Sequence, residues 1–333
     1  MEYKQTGRII KMTGGLYTVQ LHTSEPRTPL DGQVVECRAR GNFRHEGMTP
    51  LVGDLVTVQY DETSFTETPD GTVTPCADRT GLMLAEILER KNSLIRPPLA
   101  NLDEMLVVFA AEAPDPDIPT VDKLLCILEF NRIKPVIIIG KCELNEKVTR
   151  RLCKIYRKAG YTVYPLSCYT GEGLDDLKEH ILSLPKDCIV GLAGASGVGK
   201  STLLNTIFPE LAEKSKTAPV SGEISRRINR GKNTTRHTEL FPLSEGHCYI
   251  ADTAGFSLLD FERFDFFELD DLASTFPEFH GLTETCRYTD CTHLCEDGCA
   301  VVEAVLEKRI SASRHASYKS LYAILKDKKK WKS

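Results

Sequence analysis

Residues 194–201 combine glycines, a lysine and a serine at a spacing that suits phosphate binding. They read GASGVGKS and stand between the apolar run CIVGLA and the segment TLLNTIF, which predict a strand and a helix. Glycines let successive backbone N–H groups and the helix N-terminus face an anion. We expect Lys200 to reach the outer phosphates of a nucleoside triphosphate and Ser201 to ligate Mg²⁺. The predicted binding residues are Gly194, Ala195, Ser196, Gly197, Val198, Gly199, Lys200, Ser201 and Thr202.

An aspartate that ends a second apolar run supplies the metal side of such a site. The run CYIAD ends at Asp252 and continues as DTAG, so that Asp252 serves the Mg²⁺ shell and the N–H of Gly255 binds the γ-phosphate. Between the two motifs stand Thr234 and Thr235, where a GTPase needs a threonine to close over Mg²⁺. We predict Thr235 as the second magnesium ligand. The phosphate loop alone would also suit a kinase or an ATPase.

Two further loops predict selection of guanine. After the apolar run PVIII the chain reads Gly140-Lys141-Cys142-Glu143, where GTPases carry an [NT]KxD element. We expect the stem of Lys141 to pack along the base and Glu143 to accept two hydrogen bonds from the guanine N–H edge. The segment SCYTGEG at 167–173 follows the next strand, and its backbone at Ser167 and Cys168 is expected to contact the guanine carbonyl. The two loops together favour a GTPase over a kinase.

Four residues near the C-terminus have the spacing of a metal site. They are three thiols and an imidazole within fourteen residues, and such a set can fill all four positions of a tetrahedral Zn²⁺ ion. Cys295 lies inside the cluster and competes with the histidine for the fourth position. We predict one structural zinc ion per chain, bound by Cys286, Cys291, His293 and Cys299.

The apolar pattern shows which elements position these residues. Strand-like runs at 105–111, 135–140 and 162–167 alternate with helical stretches, which indicates a parallel sheet covered on both faces. The helical stretches are 120–131, 147–159 and 174–183, and two more follow the cysteines at 300–310 and 315–326.

The first part of the chain has a different pattern. Short alternating strands up to about residue 60 predict a small barrel of the OB type, or another β-domain. The polar segment 61–81 predicts a mobile loop, and LMLAEILER a last strand or a short helix. The predicted domains are therefore a barrel at 1–86, an α/β domain at 87–263 and a helical metal-binding domain at 264–333.

The order of the motifs departs from that of an ordinary GTPase, in which the phosphate loop comes first. Here the base-recognition elements at 140–143 and 167–171 precede the phosphate loop at 194–201. A cyclic shift of the chain preserves the order of all the motifs, so the same sheet can be built with new termini. The sequence thus predicts a circularly permuted P-loop GTPase domain.

The chain resembles the family of ribosome small-subunit-dependent GTPase A proteins (RsgA), which are circularly permuted GTPases. The similarity is carried by Gly53-Asp54, RKNSLIRPPLANLDE, GASGVGKS, GKNTTRHTEL, DTAGF and CRYTDCTHLCEDGCAV. It implies an N-terminal OB domain, a central permuted GTPase and a C-terminal zinc domain. It also implies binding to the small ribosomal subunit and its rRNA late in maturation, with GTP hydrolysis to GDP stimulated there.

The chain departs from that family's pattern at several positions. Gly140 replaces Asn, Thr or Ser, Glu143 replaces Asp, and Ala254 replaces Pro. In the switch loop Asn233 stands where the family has a histidine that is thought to help hydrolysis. The nearest imidazole is His237, which we include among the catalytic candidates beside Lys200, Thr234, Thr235 and Asp252. Phe256 follows the DTAG motif, so the usual water-positioning glutamine is absent.

Charge and composition bound the remaining functions. The net charge is −5, but seven basic residues and one acid lie in 214–236, and the last eight residues are KDKKKWKS. Both segments can contact RNA, and the alternative for each is a solvated face; for KDKKKWKS the two interpretations are nearly equal. No apolar run reaches the roughly 20 residues of a membrane span, and we read no signal peptide. We expect a monomer in the reducing cytoplasm. The alternative to a GTPase is an RNA-binding protein that holds nucleotide without useful hydrolysis.

Overall fold

The protein is described here from a computed structural model. The structure describes residues 2–24, 27–40, 43, 48–68, 73–76, 81–94, 98–209, 211, 238–243, 248–252 and 267–332. The strands are β1 (Glu2–Thr13), β2 (Leu16–Leu21), β3 (Val34–Ala39), β4 (Leu55–Asp61), β5 (Phe65–Glu67), β6 (Val73–Pro75), β7 (Met83–Ile87), β8 (Ser93–Leu94), β9 (Leu99–Ala100), β10 (Glu104–Ala110), β11 (Lys134–Gly140), β12 (Thr162–Pro165), β13 (Cys188–Ala193), β14 (Glu239–Pro242) and β15 (Cys248–Asp252). The helices are α1 (Ile118–Phe130), α2 (Glu146–Lys158), α3 (Leu174–Leu182), α4 (Lys200–Ile207), α5 (Ala300–Leu306) and α6 (Ala312–Lys332). Contacts divide the chain into two compact units. The described residues of 1–103, 185–191 and 234–255 form the first, and those of 104–184, 192–233 and 256–333 form the second.

The first unit is built on a closed barrel of five strands. Strand β1 pairs antiparallel with both β2 and β4, and β7 closes the circle between β3 and β4. Side chains alternate between buried and partly exposed along β2 and β4, as a half-buried strand requires. Tyr17, Val19, Val56 and Val58 are among the residues that fill the interior. The predicted small barrel is confirmed.

The segment 61–81 is more regular than the sequence indicated. Its described part contains the hairpin β5–β6, in which Phe65 pairs with Pro75 and Glu67 with Val73. The prediction of a loop was wrong there, because β-branched Thr and Val residues favour strands even in a polar segment. The alternatives for LMLAEILER resolve to a strand, β7.

The Gly53-Asp54 pair fastens the barrel to the segment that follows it. A Cβ on Gly53, whose φ is 95°, would lie 2.1 Å from the carbonyl oxygen of Ala100, so no larger residue fits. The buried Asp54 carboxylate accepts hydrogen bonds of 2.7 Å from Nε and from a terminal nitrogen of Arg90. Asn101 donates from Nδ2 to the carbonyl of Gly53 at 3.1 Å. These contacts hold the hairpin β8–β9 against the barrel.

The same unit continues beyond the barrel through three strands. Strand β14 meets β1 where Glu239 lies opposite Lys11, and their side chains form an ion pair of 3.0 Å. Strand β15 pairs antiparallel with β14 and parallel with β13. Asp252 is the last residue of β15.

The second unit contains a parallel sheet in the order β10-β11-β12. Every residue of β10 and all but the first of β11 are buried, as in a sheet covered on both faces. Helices α1, α2 and α3 follow these strands in turn, within two residues of their predicted bounds. The carboxyl ends of the strands therefore lead into the loops at 111–117, 141–145 and 166–173.

Short 3-10 turns and two helices complete this unit. The turns are Leu269–Thr275, Pro277–Phe279 and Thr283–Thr285. The predicted helix at 300–310 ends early, at Leu306, and Lys308 beyond it adopts a φ of 61°. The predicted helix at 315–326 is longer, since α6 runs from Ala312 to Lys332. Within the described residues, no helix has the length and apolar character to cross a membrane.

Candidate functional site

The loop between β13 and α4 has a backbone at its ends that residues other than glycine rarely adopt. A Cβ on Gly194, whose φ is 152°, would lie 2.0 Å from the carbonyl oxygen of Val108 in β10. Gly199 has a φ of 98° and immediately precedes α4, so it turns the chain into the helix. The loop is thereby held close to the sheet, with the first turn of α4 at its end.

Lys200 lies folded across this loop. Its ammonium donates hydrogen bonds to the carbonyl oxygens of Gly194 at 2.6 Å and Ala195 at 2.8 Å. Ser201 follows in the first turn of the helix and is partly exposed. The positive charge and the N-terminus of α4 thus occupy the same place, which suits an anionic phosphate group.

The loop after β11 lies against the phosphate loop. Lys141 adopts a φ of 55° and donates from Nζ to the carbonyl oxygens of Ala113 and Gly197, the latter at 3.3 Å. A Cβ added to Gly140 would lie 3.5 Å from the carbonyl oxygen of Val198, an ordinary contact distance. Glu143 is exposed and therefore accessible to a ligand.

Cys142 connects this loop with the one that follows β12. Its N–H donates to the carbonyl of Leu166 at 3.2 Å, and its thiol donates to the carboxylate of Glu172 at 3.6 Å. Burial, with the nearby charge of Glu172, raises the pKa of the thiol to about 11, so it stays protonated at neutral pH. Cys142 stabilises the loop and is not among the residues that line the 340 Å³ cavity described below.

The loop after β12 is a tight turn organised by Ser167. This fully buried residue accepts hydrogen bonds on Oγ from the N–H groups of Tyr169 at 3.2 Å and Thr170 at 3.1 Å. Its own N–H donates to the carbonyl of Glu172 at 3.0 Å. The turn leaves the ring of Tyr169 90% exposed beside the loop.

A cavity of about 340 Å³ lies where these segments meet. Its size is at the lower end of small-ligand pockets, which suits a flat nucleobase. The structure brings together seven of the predicted binding residues here, namely Gly140, Lys141, Glu143, Cys168, Val198, Gly199 and Thr202. The other lining residues, Val108, Leu166, Tyr169 and Leu203, were missed from the sequence.

The apolar walls of the cavity gave little signal of their own. Val108 and Leu203 belong to a buried strand and a helix, and their pattern is that of core residues. Tyr169 lies inside the predicted guanine loop. The motif SCYTGEG is therefore the sequence signal that indicates it. Burial also raises the pKa of the Cys168 thiol.

Most of the predicted switch residues are not among the residues that the structure describes. Thr234, Thr235, His237 and Gly255 fall outside the described residues, as do Asn233, Ala254, Phe256 and the basic segment 214–236. Asp252 is described only as the end of β15. Their roles stay predictions.

The four predicted metal ligands lie together. The ligand atoms of Cys286, Cys291, His293 and Cys299 all lie within 4.8 Å of one another. Nδ1 of His293 is 3.5 Å from Sγ of Cys286 and 3.6 Å from Sγ of Cys299. Cys295 is exposed and outside this group, which favours His293 as the fourth ligand. Three thiols and an imidazole in this arrangement fit a tetrahedral Zn²⁺ ion.

A carboxylate holds the loop that carries His293. Glu296 accepts hydrogen bonds from the N–H groups of Thr292 at 3.0 Å, Leu294 at 2.9 Å and Cys295 at 3.1 Å. Burial opposes its ionisation, but the hydrogen bonds from Thr292 and the backbone outweigh burial and lower the pKa of Glu296 to about 2. The ionised side chain fixes His293 in its left-handed conformation, with a φ of 58°.

Helix α6 supports the same loop from the other side. His315 makes a hydrogen bond of 2.7 Å through Nε2 with the carbonyl oxygen of His293. Tyr318 donates from its hydroxyl to the carbonyl of Thr292 at 3.0 Å. Both residues are buried. The metal loop is therefore packed on α6 through two side-chain hydrogen bonds.

Comparison with known proteins gives consistent results over nearly the whole chain. Sequence profiles of the RsgA GTPase and of the RsgA N-terminal domain match residues 87–262 and 6–65. Proteins named small ribosomal subunit biogenesis GTPase RsgA are 37% identical in Caldanaerobacter subterraneus, over 97% of both chains, and 39% identical in Agathobacter rectalis, over 98% of this chain and 100% of that one.

Two solved structures are also similar. The circularly permuted GTPase YloQ has a TM-score of 0.72 at 30% identity, covering 98% of this chain and 96% of its own. YjeQ from Thermotoga maritima has a TM-score of 0.72 at 28% identity, covering 97% and 99%. The permuted order of motifs seen in this sequence therefore has counterparts of known structure.

Proposed function

The chain belongs to the RsgA GTPase family, and we infer that it hydrolyses GTP during biogenesis of the small ribosomal subunit. The observation that best supports a guanine nucleotide is the cavity where both base loops meet the phosphate loop and α4. Lys141 packs beside the base, Glu143 accepts hydrogen bonds from its N–H edge, and the backbone N–H of Cys168 meets its carbonyl. The N–H of Ser167, also predicted to make this contact, is donated to Glu172 instead.

The reaction is in-line attack of water on the γ-phosphate, with catalysis by positioning and by neutralisation of charge. Lys200 holds the outer phosphates, and the N–H groups of 194–202 surround them. Ser201 and Thr235 would ligate Mg²⁺, with Asp252 in its outer shell, and the ion would supply positive charge to the phosphate oxygens. Thr234 and the N–H of Gly255 complete the γ-phosphate side.

Zinc has a structural role. The donor set Cys286, Cys291, His293 and Cys299 fills every position of a tetrahedral ion, which leaves none for substrate. The ion stabilises the C-terminal domain, 264–333, as an RNA-binding module; the other two domains are the GTPase domain, 87–263, and the barrel, 1–86.

The partner is the small ribosomal subunit late in its maturation. The barrel and the zinc module grip rRNA, aided by the basic segment 214–236 and the basic end of α6. Contact with the subunit accelerates hydrolysis. The protein acts as a monomer in the cytoplasm.

Turnover of GTP with and without purified small subunits tests this proposal. We expect slow turnover alone, acceleration at saturating subunits, and preference for GTP over ATP in competition. Lys200→Ala should abolish turnover without changing the melting temperature, whereas Lys178→Ala, which removes an exposed charge on α3, should leave turnover unchanged. Tight GTP binding without stimulated turnover would favour a nucleotide-holding RNA-binding protein, the interpretation that Asn233 and Phe256 support.

A further inference from the structure

Helix α2 carries a dense row of positive charge. Its six basic residues are all exposed, and Glu146 is its only acid. At about 100° per residue the six fall within an arc of about 120°, along roughly 17 Å of the helix. The opposite face packs inward through Leu152, Cys153 and Tyr156. We call this surface the basic stripe; it consists of Lys147, Arg150, Arg151, Lys154, Arg157 and Lys158.

Little of this charge is used within the protein. Arg150 pairs with Glu146, but both side chains are about three-quarters exposed, and such pairs contribute little. Arg157 donates to the carbonyl of Val163 at 3.1 Å. In the part of the chain that the structure describes, the side chains of the remaining four residues make no hydrogen bond or ion pair. Like charges three and four residues apart disfavour a helix, so the stripe is better explained by a partner.

The cavity that adjoins the stripe does not suit that partner. It measures about 580 Å³ and is lined by Arg150, Lys154 and Arg157, but also by acids, Glu143, Glu146 and Glu172. These carboxylates oppose an anion that enters deeply. The outward side of the stripe, by contrast, presents only positive charge, and it suits an extended polyanion lying along the surface.

We propose that the basic stripe of α2 binds the phosphate backbone of RNA. This contact is made by the second unit, which carries the proposed nucleotide site. The proposal rests on the proposed function, which brings this unit to the small subunit. Lysine and arginine along one face match a line of phosphates without reading bases. The protein's net charge of −5 makes attraction by the whole surface a poor explanation.

The test removes two charges from the stripe and two from elsewhere. Arg151→Gln/Lys154→Gln keeps good helix formers at exposed positions. Arg132→Gln/Lys178→Gln removes two exposed charges after α1 and on α3. Binding of each full-length protein to isolated small subunits is measured with a non-hydrolysable GTP analogue over a series of salt concentrations.

We expect the stripe variant to bind about tenfold more weakly at low salt, and its slope of log affinity against log salt to fall by about 1.5. The control should match the wild type in both. GTP turnover without subunits should be the same in all three proteins, because none of the changed residues lines the nucleotide cavity.

Three outcomes would contradict the proposal. Wild-type affinity and salt slope in the stripe variant would overturn the proposal while leaving the proposed function intact. Failure of the wild type itself to bind subunits would overturn both. Weaker binding to subunits with undiminished binding to naked small-subunit rRNA would show that a ribosomal protein, not RNA, meets the stripe.

Discussion

The ammonium of Lys141 donates a hydrogen bond to the carbonyl oxygen of Gly197, 3.3 Å away, and so joins the base loop to the phosphate loop. The same ammonium donates to the carbonyl of Ala113, at the start of the loop after β10. In GTPases with an asparagine at the position of Gly140, that side chain can tie the two loops together. Here the glycine has no side chain, and the lysine makes the connection.

Replacing Lys141 with methionine should therefore weaken GDP binding. The variant keeps an apolar stem beside the base but loses hydrogen bonds from a charged donor, worth about 1.5–3 kcal/mol. We expect a dissociation constant at least about tenfold higher by calorimetry, since 1.4 kcal/mol is tenfold. Lys178→Met, on the exposed face of α3, serves as the matched control. Equal affinity in Lys141→Met and the wild type would exclude the tie as a contribution to binding.

The double variant Gly140→Asn/Glu143→Asp should bind GDP more tightly than the wild type. The structure leaves room, because a Cβ at position 140 would lie 3.5 Å from the carbonyl of Val198. The new amide then adds hydrogen bonds worth roughly 1 kcal/mol each. Calorimetry of both single variants and the double variant separates the two positions. Unchanged or weaker affinity in the double variant would count against guanine recognition by this loop.

Local motifs with an obligatory backbone were predictable from the sequence. The phosphate loop is one, since Gly194 and Gly199 adopt conformations that other residues rarely reach. The parallel strands were predictable as well, because short continuous apolar runs that alternate with helical stretches are typical of strands buried on both faces. The carboxyl ends of those strands then brought the base loops near the phosphate loop.

Features that depend on tertiary packing were not predictable in the same way. Val108 and Leu203 look like core residues until the cavity beside them is seen. The basic stripe was missed because its charges alternate with apolar residues along the sequence and gather only on the helix surface. The hairpin β5–β6 was missed because its polar residues are typical of a loop, although its Thr and Val residues favour strands.

Restoring a histidine in the switch loop should accelerate hydrolysis. Asn233 can hydrogen-bond water but cannot carry the proton or charge of an imidazole, and His237 stands four residues further on. We expect Asn233→His to raise turnover at saturating subunits and His237→Ala to change it little. If His237 acts instead, His237→Ala should cost about 10²-fold or more, the usual effect of a positioned acid–base group. That loss, without a gain in Asn233→His, would contradict the prediction.

Arg314 should be a major stabilising residue of the C-terminal part of the chain. Its guanidinium is fully buried, 2.6 Å from Asp122 and 2.7 Å from Glu278, and it lies over the ring of Phe276. Arg314→Met leaves two buried carboxylates without their cation, and such a change typically costs about 3–5 kcal/mol. Urea unfolding measures the loss, with the exposed Arg309→Met as the control.

The loss in Arg314→Met should also depend on pH. Burial raises the pKa of the Asp122 carboxyl, and the positive charge of Arg314 opposes that rise. Without the arginine, the pKa of Asp122 in the folded state rises further above its value in the unfolded state. The stability of the variant therefore falls as the pH increases from the unfolded-state pKa to the folded-state pKa. The variant should therefore be less destabilised at pH 5 than at pH 8. A loss that is independent of pH would show that Asp122 remains ionised without its partner.

The carboxylate of Glu296 should set the affinity of the metal site without touching the ion. One of its oxygens accepts from the backbone of Thr292, and the other accepts from the N–H groups of Leu294 and Cys295. Glu296→Gln replaces one oxygen with an NH₂ group that must face N–H donors, so the loop carrying His293 loses part of its support. Residues in this supporting role typically change metal affinity about 10- to 100-fold.

Chelator competition followed by elemental analysis measures that change in the full-length protein. We expect Glu296→Gln to release zinc at a lower chelator concentration than the wild type, and Glu284→Gln, an exposed acid in the turn Thr283–Thr285, to match the wild type. Cys291→Ser should purify without stoichiometric zinc, yet still bind GDP. Since the pKa of Glu296 is about 2, its hydrogen bonds are fully formed at neutral pH and are lost only as the pH falls toward that value. Equal zinc retention in Glu296→Gln and the wild type would mean that α6 alone holds the loop.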